Sequence, residues 1–282
     1  MSFLSKTFRY VNENGESVTF TYNDGFLINK PIGIDTLQVS LSQATGIDQV
    51  GATIQSVNIQ PRPVTVSGVL VGEFQLQNKE RLLSVVRPDL TAKLYADDYY
   101  LNVRPTSTPT IDPSAKFAKF QFSVLAAYPY WQRDSSIRSV LSGLQYMFKF
   151  PWNISRQYQF AQLMETQFIN VPNHGQLPVP MTVTFFARGD CVNPKLTNVN
   201  TGKFMEINKS LIAGERVVVE ITHDRTYVTS SVDGDIRGAL SLKSTLNRLD
   251  VGDNVLKPEA EEGRKQLEVS IDFATEIVGI SL

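Results

Sequence analysis

Alternation of apolar and polar residues with a period of two runs through most of this chain. Phe120, Phe122 and Val124 alternate with Lys119, Gln121 and Ser123, the pattern of a strand with one buried face and one solvated face. The pattern recurs at Met181, Val183 and Phe185, and again where Leu267, Val269, Ile271 and Phe273 alternate with Glu268, Ser270 and Asp272. Residues 7–12 and 17–22 are β-prone on either side of Glu13-Asn14-Gly15-Glu16. Asn-Gly tolerates positive φ, so this stretch predicts a hairpin. Strand-like segments follow near Thr36–Leu41 and Ala52–Gln60, and Pro61 and Pro63 mark an edge or a break.

Val64, Val66, Val69 and Val71 predict the next strand, with a bulge at Ser67-Gly68 where the alternation is interrupted. From Gln75 to Arg87 the period lengthens. Leu76, Leu82, Leu83 and Val86 gather on one helical face and Pro88 ends the run, which makes this the one helix the pattern predicts. Thr91–Tyr95 and Tyr99–Arg104 flank Ala96-Asp97-Asp98 as a second hairpin, and a loop runs from Pro105 to Ala115. Ser139–Met147 reads as a short helix or a strand. Tyr146, Phe148, Phe150, Trp152, Tyr158 and Phe160 follow at mostly even spacing. Aromatic enrichment at period two favours a strand packing on a sheet; the competing reading is an aromatic platform for a sugar or a partner.

Val217–Ile221 and Thr226–Val232 predict strands joined by Thr222-His223-Asp224-Arg225, with turns at Asp233-Gly234 and over residues 249–254. The chain closes with two strands joined by Ala274-Thr275. The fold class expected is mainly β. A β-rich domain with one short helix occupies residues 1–135, and a β-sandwich or jelly roll occupies residues 136–282.

Composition narrows the function. The 282 residues suffice for two ordinary domains, and 42% hydrophobic with 20% charged residues supports packed cores. Lys plus Arg is 27 and Asp plus Glu is 28. That balance argues against non-specific nucleic-acid binding, which needs surplus cations to displace counterions. Cys191 is the only cysteine, so no intramolecular disulfide staples the fold, and folding in a reducing cytoplasm is expected. Residues 1–6 lack a signal-peptide apolar run, and no stretch is apolar for the roughly 18 residues of a spanning helix, so no membrane insertion is expected.

Candidate chemistry is sparse. His174 and His223 stand 49 positions apart with no Cys or Glu cluster beside them, and a zinc site needs three or four converging ligands. Cys191 beside Gly189-Asp190 lacks an orienting partner for a nucleophile. Asp233-Gly234-Asp235 lacks the further oxygen ligands of a calcium loop and reads as a hairpin turn. Asp97-Asp98 and Glu259, Glu261 and Glu262 read as solvated turn charges. No nucleophile elbow, P-loop or dinucleotide fingerprint occurs. The expectation is a non-enzyme with no catalytic, cofactor-binding or metal site and no cofactor. A hydrolase with carboxylates that meet only in space remains the competing enzymatic reading.

Several fragments in order resemble one family. They are Val64-Thr65-Val66-Ser67-Gly68-Val69-Leu70, the run from Lys79 to Pro88, Ala92–Leu101, and Lys119–Trp131 ending in Ala127-Tyr128-Pro129-Tyr130-Trp131. In the second half they are Val171-Pro172-Asn173-His174-Gly175, Asn193-Pro194 through Thr201-Gly202, Leu211-Ile212-Ala213-Gly214-Glu215 and Val251-Gly252-Asp253-Asn254. Together, over about two-thirds of the chain, they resemble the distal tail protein (Dit) family of siphophages. The stretch 144–160 has no counterpart in it.

The resemblance implies a first domain assembling into a hexameric ring at the end of a long phage tail. It also implies a galectin-like or carbohydrate-module-like sandwich as the second domain. The implied role is a structural baseplate hub in the virion. Its implied partners are tail tube protein, the tail-associated or tape-end protein, and receptor-binding parts or host saccharide. The alternative is a host-recognition protein that binds carbohydrate through the second domain. Because the hairpin 7–22 and the segment 25–60 show few core partners of their own, part of this region is expected to lie across the next subunit by strand addition.

Overall fold

The computed structural model describes residues 6–72, 75–112, 117–141, 144–146, 161–163 and 168–281. The chain divides into two compact units. Residues 1–134 together with 276–282 form one, and residues 135–275 form the other. The boundary therefore falls beside residue 135, but the last seven residues depart from the expected second domain of 136–282 and return to the first unit.

The first unit carries β1 (Phe8–Asn12), β2 (Ser17–Thr19), β3 (Phe26–Ile28), β4 (Val39–Ala44), β5 (Thr53–Ile59), β6 (Arg62–Leu70), helix α1 (Gln75–Val85), β7 (Ala92–Ala96), β8 (Tyr99–Pro105), β9 (Thr110–Asp112), β10 (Lys119–Ala126) and β11 (Trp131–Arg133). All but β4 and β5 of these strands join one sheet in the order β2-β1-β7-β8-β10-β6-β3, with β9 on β10 and β11 on β8. Alternation puts Phe8, Tyr10, Leu94, Leu101, Val103, Phe120, Phe122 and Val124 on the inner face. Phe20, Phe26, Phe120 and Phe122 meet there with ring centroids 5.8 to 6.2 Å apart. Burial of each such ring contributes about 2–3 kcal/mol.

Three expectations change in this unit. The hairpin 7–22 is core: Phe8, Tyr10, Val18 and Phe20 are buried and β1 sits between β2 and β7, so it is not free to lie across a neighbour. Helix α1 presents Leu82, Val85 and the following Val86 to the core, whereas Leu76 and Leu83 are exposed. No bulge occurs at Ser67-Gly68, since β6 pairs with β10 without a break from Arg62 to Val69. Gly68 is required for another reason. A Cβ there would stand 2.3 Å from the Leu27 carbonyl oxygen and 2.9 Å from the Ile28 Cα, so glycine is what lets the paired strand β3 approach β6 so closely.

The second unit holds β12 (Ile137–Val140), β13 (Leu144–Tyr146), β14 (Ala161–Leu163), β15 (Ile169–Asn173), β16 (Thr182–Ala187), β17 (Cys191–Val192), β18 (Lys195–Asn198), β19 (Phe204–Glu206), β20 (Ser210–Leu211), β21 (Arg216–Ile221), β22 (Thr226–Ser230), β23 (Gly234–Asp235), β24 (Gly252–Glu259) and β25 (Leu267–Phe273). A six-stranded sheet, β12-β25-β16-β21-β22-β23, packs against a four-stranded sheet, β15-β24-β18-β19. Val183, Phe185, Val219, Val269 and Ile271 from the first share one core with Val171, Leu196, Met205 and Leu256 from the second. This is the expected sandwich.

Residues 139–147 are strand at both described ends and contain no helix among the described residues. In the aromatic stretch, Leu144–Tyr146 pairs as a strand with β14, and residues 147–160 lie outside the described residues. The two closing strands do not pair with each other. β25 belongs to the second unit, while β26 (Glu276–Ile277) pairs with β11 of the first.

Candidate assembly surface

The feature that stands out is the hairpin of β4 and β5. All six residues of β4 and all seven of β5 are exposed, and among the described residues the two strands pair only with each other. The register runs Val39↔Ile59, Ser40↔Asn58, Leu41↔Val57 and Ser42↔Ser56, then shifts by one to Gln43↔Ile54 and Ala44↔Thr53. The extra residue of this bulge re-aims the side chains beyond it. Ile54 thereby joins Val39, Leu41, Val57 and Ile59 on one face, with Gln43. The opposite face carries Ser40, Ser42, Ala44, Thr53, Ser56 and Asn58. Val57 is 62% exposed, and at the tip Ile47 and Val50 are fully exposed. Gln49 stiffens that tip by accepting from the Gly46 N–H at 2.9 Å and donating to the Thr53 hydroxyl at 3.0 Å. A two-stranded ribbon is marginal in water alone, and an uncovered aliphatic face on it marks a contact surface.

The root of this arm is held firmly. Arg62, 1% exposed, donates from Nε to the Pro129 carbonyl at 2.6 Å and from Nη1 to Gly33 and Ile34 at 3.0 and 2.8 Å, and its Nη2 reaches the Val278 carbonyl. Burial lowers its pKa, with Asp35 opposing that effect. The Ile34 carbonyl also accepts from the Trp131 indole and the Ile280 N–H, both at 3.0 Å. Tyr128 and Gln132 donate to the Glu276 carboxylate at 2.6 and 3.1 Å. Residues 276–281 thus form a strap that binds the base of the arm, the start of β6 and β11 together. Gly279 packs so closely on Asp35 that a Cβ would lie 2.7 Å from its carbonyl oxygen.

A furrow of about 620 Å³ crosses the solvent face of the first unit's sheet. It forms where β8 changes partners: β8 meets β10 through only Pro105↔Val124 and Arg104↔Leu125, having paired with β7 and β11 earlier in its length.

The residues singled out for chemistry fall into structural roles. Asp97 takes positive φ in its hairpin turn and accepts from the Thr7 N–H at 2.9 Å. Asp233 pairs with Lys209 at 3.0 Å, and Asp235 accepts from the Arg237 N–H at the same distance. Glu259 is not a solvated turn charge but ends β24, paired with Lys257 at 2.6 Å and Thr197 at 2.8 Å; Glu261 accepts from Asn193 at 2.6 Å. Cys191 is buried, and burial pushes its thiol pKa up. His174 and His223 lie in separate loops. Among the described residues no group of His, Cys, Asp and Glu is placed to hold a metal ion, and no helix is long and apolar enough to cross a membrane.

Reading the sequence missed three buried asparagines of the second unit, Asn173, Asn198 and Asn254, although all lie in fragments that carry the family resemblance. Asn254 donates to the Val171, Asp250 and Gly252 carbonyls and accepts from Asn198; Asn173 donates to Leu177 and Leu249. They satisfy loop backbone that would otherwise be buried unpaired. Glu215 also escaped notice. Its carboxylate is fully buried and accepts from Lys209 and Ser230, both at 2.6 Å, and from the Ile212 N–H at 3.1 Å.

Residues 174–276 match the family model described as the siphovirus-type tail component, C-terminal domain. The fold is similar to that of SPP1 Dit (gp 19.1), described as a paradigm of the hub adsorption apparatus in phages infecting Gram-positive hosts. The two share 14% identity with a TM-score of 0.67, over 95% of this chain and 98% of that one. The phage P2 baseplate in its activated conformation with Ca aligns at 9% identity and a TM-score of 0.47, over 98% of this chain and 99% of that one. No curated protein sequence matches the chain. Residues 174–276 therefore carry the C-terminal domain of the siphovirus-type tail component family on a chain with the fold of SPP1 Dit, and the resemblance to the siphophage distal tail protein family is borne out.

Proposed function

We propose that this protein is a non-catalytic structural component of the virion, a hub at the distal end of a long phage tail that works by self-association. The observation that carries this reading is the exposed arm of β4 and β5, whose aliphatic face has no cover among the described residues. The fold shared with SPP1 Dit supports the same reading. The arm and whatever receives it are different patches, so the contact is heterologous, and heterologous contacts close into rings when the rotation allows. The ring is a hexamer. It joins tail tube protein on one side and the tail-associated protein on the other, with receptor-binding parts carried by the second unit. The protein is made in the host cytoplasm and leaves the cell in the virion.

Mass by light scattering at high protein concentration tests this. A particle near six times 31.5 kDa is expected. Replacing residues 39–59 by a short turn is expected to give monomers with the melting behaviour of the parent. An armless protein that still forms rings in electron micrographs overturns the role of the arm, and a full-length protein that stays solitary at high concentration overturns the hub. Saccharide recognition through the second unit drew its motive from residues 144–160; no described residue carries it further.

A further inference from the structure

We propose that the solvent face of the six-stranded sheet in the second unit carries a docking furrow for an extended, carboxylate-bearing segment of another protein, seated over Ser270 and Thr184 between the guanidinium groups of Arg138 and Arg216. The inference goes beyond the hub reading and needs no ring, since every residue it uses lies in the second unit.

The furrow follows from the register of the sheet. Across β25, β16 and β21 one row of side chains runs Ser270, Thr184 and Val218. These are small and form a floor. Two residues to one side along the strands, Arg138 stands opposite Asp272. Two residues to the other side, Glu268, Phe186 and Arg216 stand in line. Residues two apart on a strand share a face, so the longer side chains rise as walls around about 300 Å³. Its depth shows at Ser270. This residue lies on the outer face between Glu268 and Asp272, yet it is only 4% exposed, and no hydrogen bond among the described residues takes up its hydroxyl.

The charges point to the occupant. Glu268 is taken up by Arg188, which donates to it from Nε at 3.0 Å and also from Nη2. Arg138 and Arg216 differ. Among the described residues neither guanidinium meets a carboxylate, and Arg216 has only the Phe186 ring, 5.7 Å away. An unpaired guanidinium holds a carboxylate through its planar fork of donors. The lining contains three arginines against Glu268 and Asp272, a surplus of one positive charge on a chain whose net charge is −1. Arginines with an aromatic ring and no lysine match the composition of protein contacts, where Arg and aromatic residues are enriched and Lys is depleted. Asp272 favours a peptide over a phosphate polymer. A peptide brings carboxylates for the arginines and backbone N–H groups for Asp272, whereas a phosphate polymer brings acceptors alone and is repelled by that carboxylate.

Fluorescence anisotropy of the full-length protein with a short labelled peptide of alternating glutamate and serine reads the site. Binding that weakens with added salt is expected, and the same peptide with glutamine for glutamate is expected to bind about tenfold less tightly. Arg138→Gln and Arg216→Gln are each expected to weaken binding about tenfold, the scale of a hydrogen bond to a charged group. Thr184→Tyr fills the floor without changing charge and is expected to abolish binding. Arg225→Gln, at an exposed arginine outside the furrow, is expected to leave it unchanged. Matching melting curves show that the variants fold. No binding at millimolar peptide, or binding indifferent to the changes at Arg138 and Arg216, overturns the dock. Equal or tighter binding of inorganic polyphosphate with the same arginine dependence assigns the furrow to phosphate and overturns the peptide. In light scattering at high concentration Arg216→Gln is expected to keep the mass of the parent. A lower mass would place the furrow in the contact between copies and overturn a foreign partner, whereas failure of the peptide alone leaves the hub standing.

Discussion

Arg62 shows how one side chain can hold a junction. It lies between two prolines and donates to four carbonyls from three separate segments. Among the described residues no carboxylate contacts it, and peptide dipoles solvate the charge. Arg62→Met fills most of the volume but removes the donor that serves all four carbonyls, and a loss of about 3 kcal/mol is expected for the first unit. Calorimetry reads this as a lower melting temperature for one transition only.

Glu215 plays the corresponding part in the second unit. Burial pushes its carboxyl up, but the hydrogen bonds from Lys209, Ser230 and the Ile212 N–H outweigh burial and hold it below the usual carboxylate value. Linkage fixes the sign. A carboxylate depressed by folding contributes stability that is present above its unfolded pKa, about 4.3, and is lost as pH falls through its folded value. The melting temperature of the second unit is expected to drop from about pH 4 downward. Glu215→Gln should lower it at neutral pH and flatten that acid dependence; an unchanged acid profile in the variant would exclude Glu215 as the source.

Among the elements, β6 is the most constrained, since it pairs with β10 along eight residues on one side and with β3 at Gly68 on the other. Gly68→Ala forces a methyl into backbone, where no flexible side chain can give way. A loss of about 1–3 kcal/mol is expected, the scale of an overpacked core, measured by chemical denaturation of the first unit. The strap is the second such element. Removing residues 276–282 deletes β26 and exposes Trp131, the Arg62 guanidinium and the Ile34 carbonyl. The first unit should then melt earlier while the second is unchanged, a split that two-transition calorimetry resolves. The arm contrasts with both, because its strands touch little else and its loss should cost assembly and leave melting as it was.

At the scale of the whole molecule, the second unit is an insertion into the first. The chain leaves at residue 134 and returns at residue 276, and the two ends are neighbours because Gln132 on β11 pairs with Glu276 on β26. Joining residue 134 to 276 through a few glycines is therefore expected to leave a folded first unit of native-like circular dichroism that keeps its arm. A collapsed or aggregated product would mean that the second unit is needed to form the first.

The strands, most hairpin turns and the mainly β class could be read from residues alone, since period two and Asn-Gly or Asp-rich turns are local signals that survive without knowledge of partners. The family resemblance was also legible, because its fragments lie in those strands and turns. Three-dimensional packing decided the rest. The break at Gly68 looks the same in sequence whether it marks a bulge or the close approach of a paired strand. Leu76 and Leu83 fit a helical stripe that packing left in solvent. Arg62 resembles a surface charge until four distant carbonyls converge on it. The bulge that puts Ile54 beside Val57 depends on register, and register is a relation between two strands. Sequence determined which residues alternate; only the tertiary structure decided which faces found cover, because burial depends on what the rest of the chain brings opposite each face.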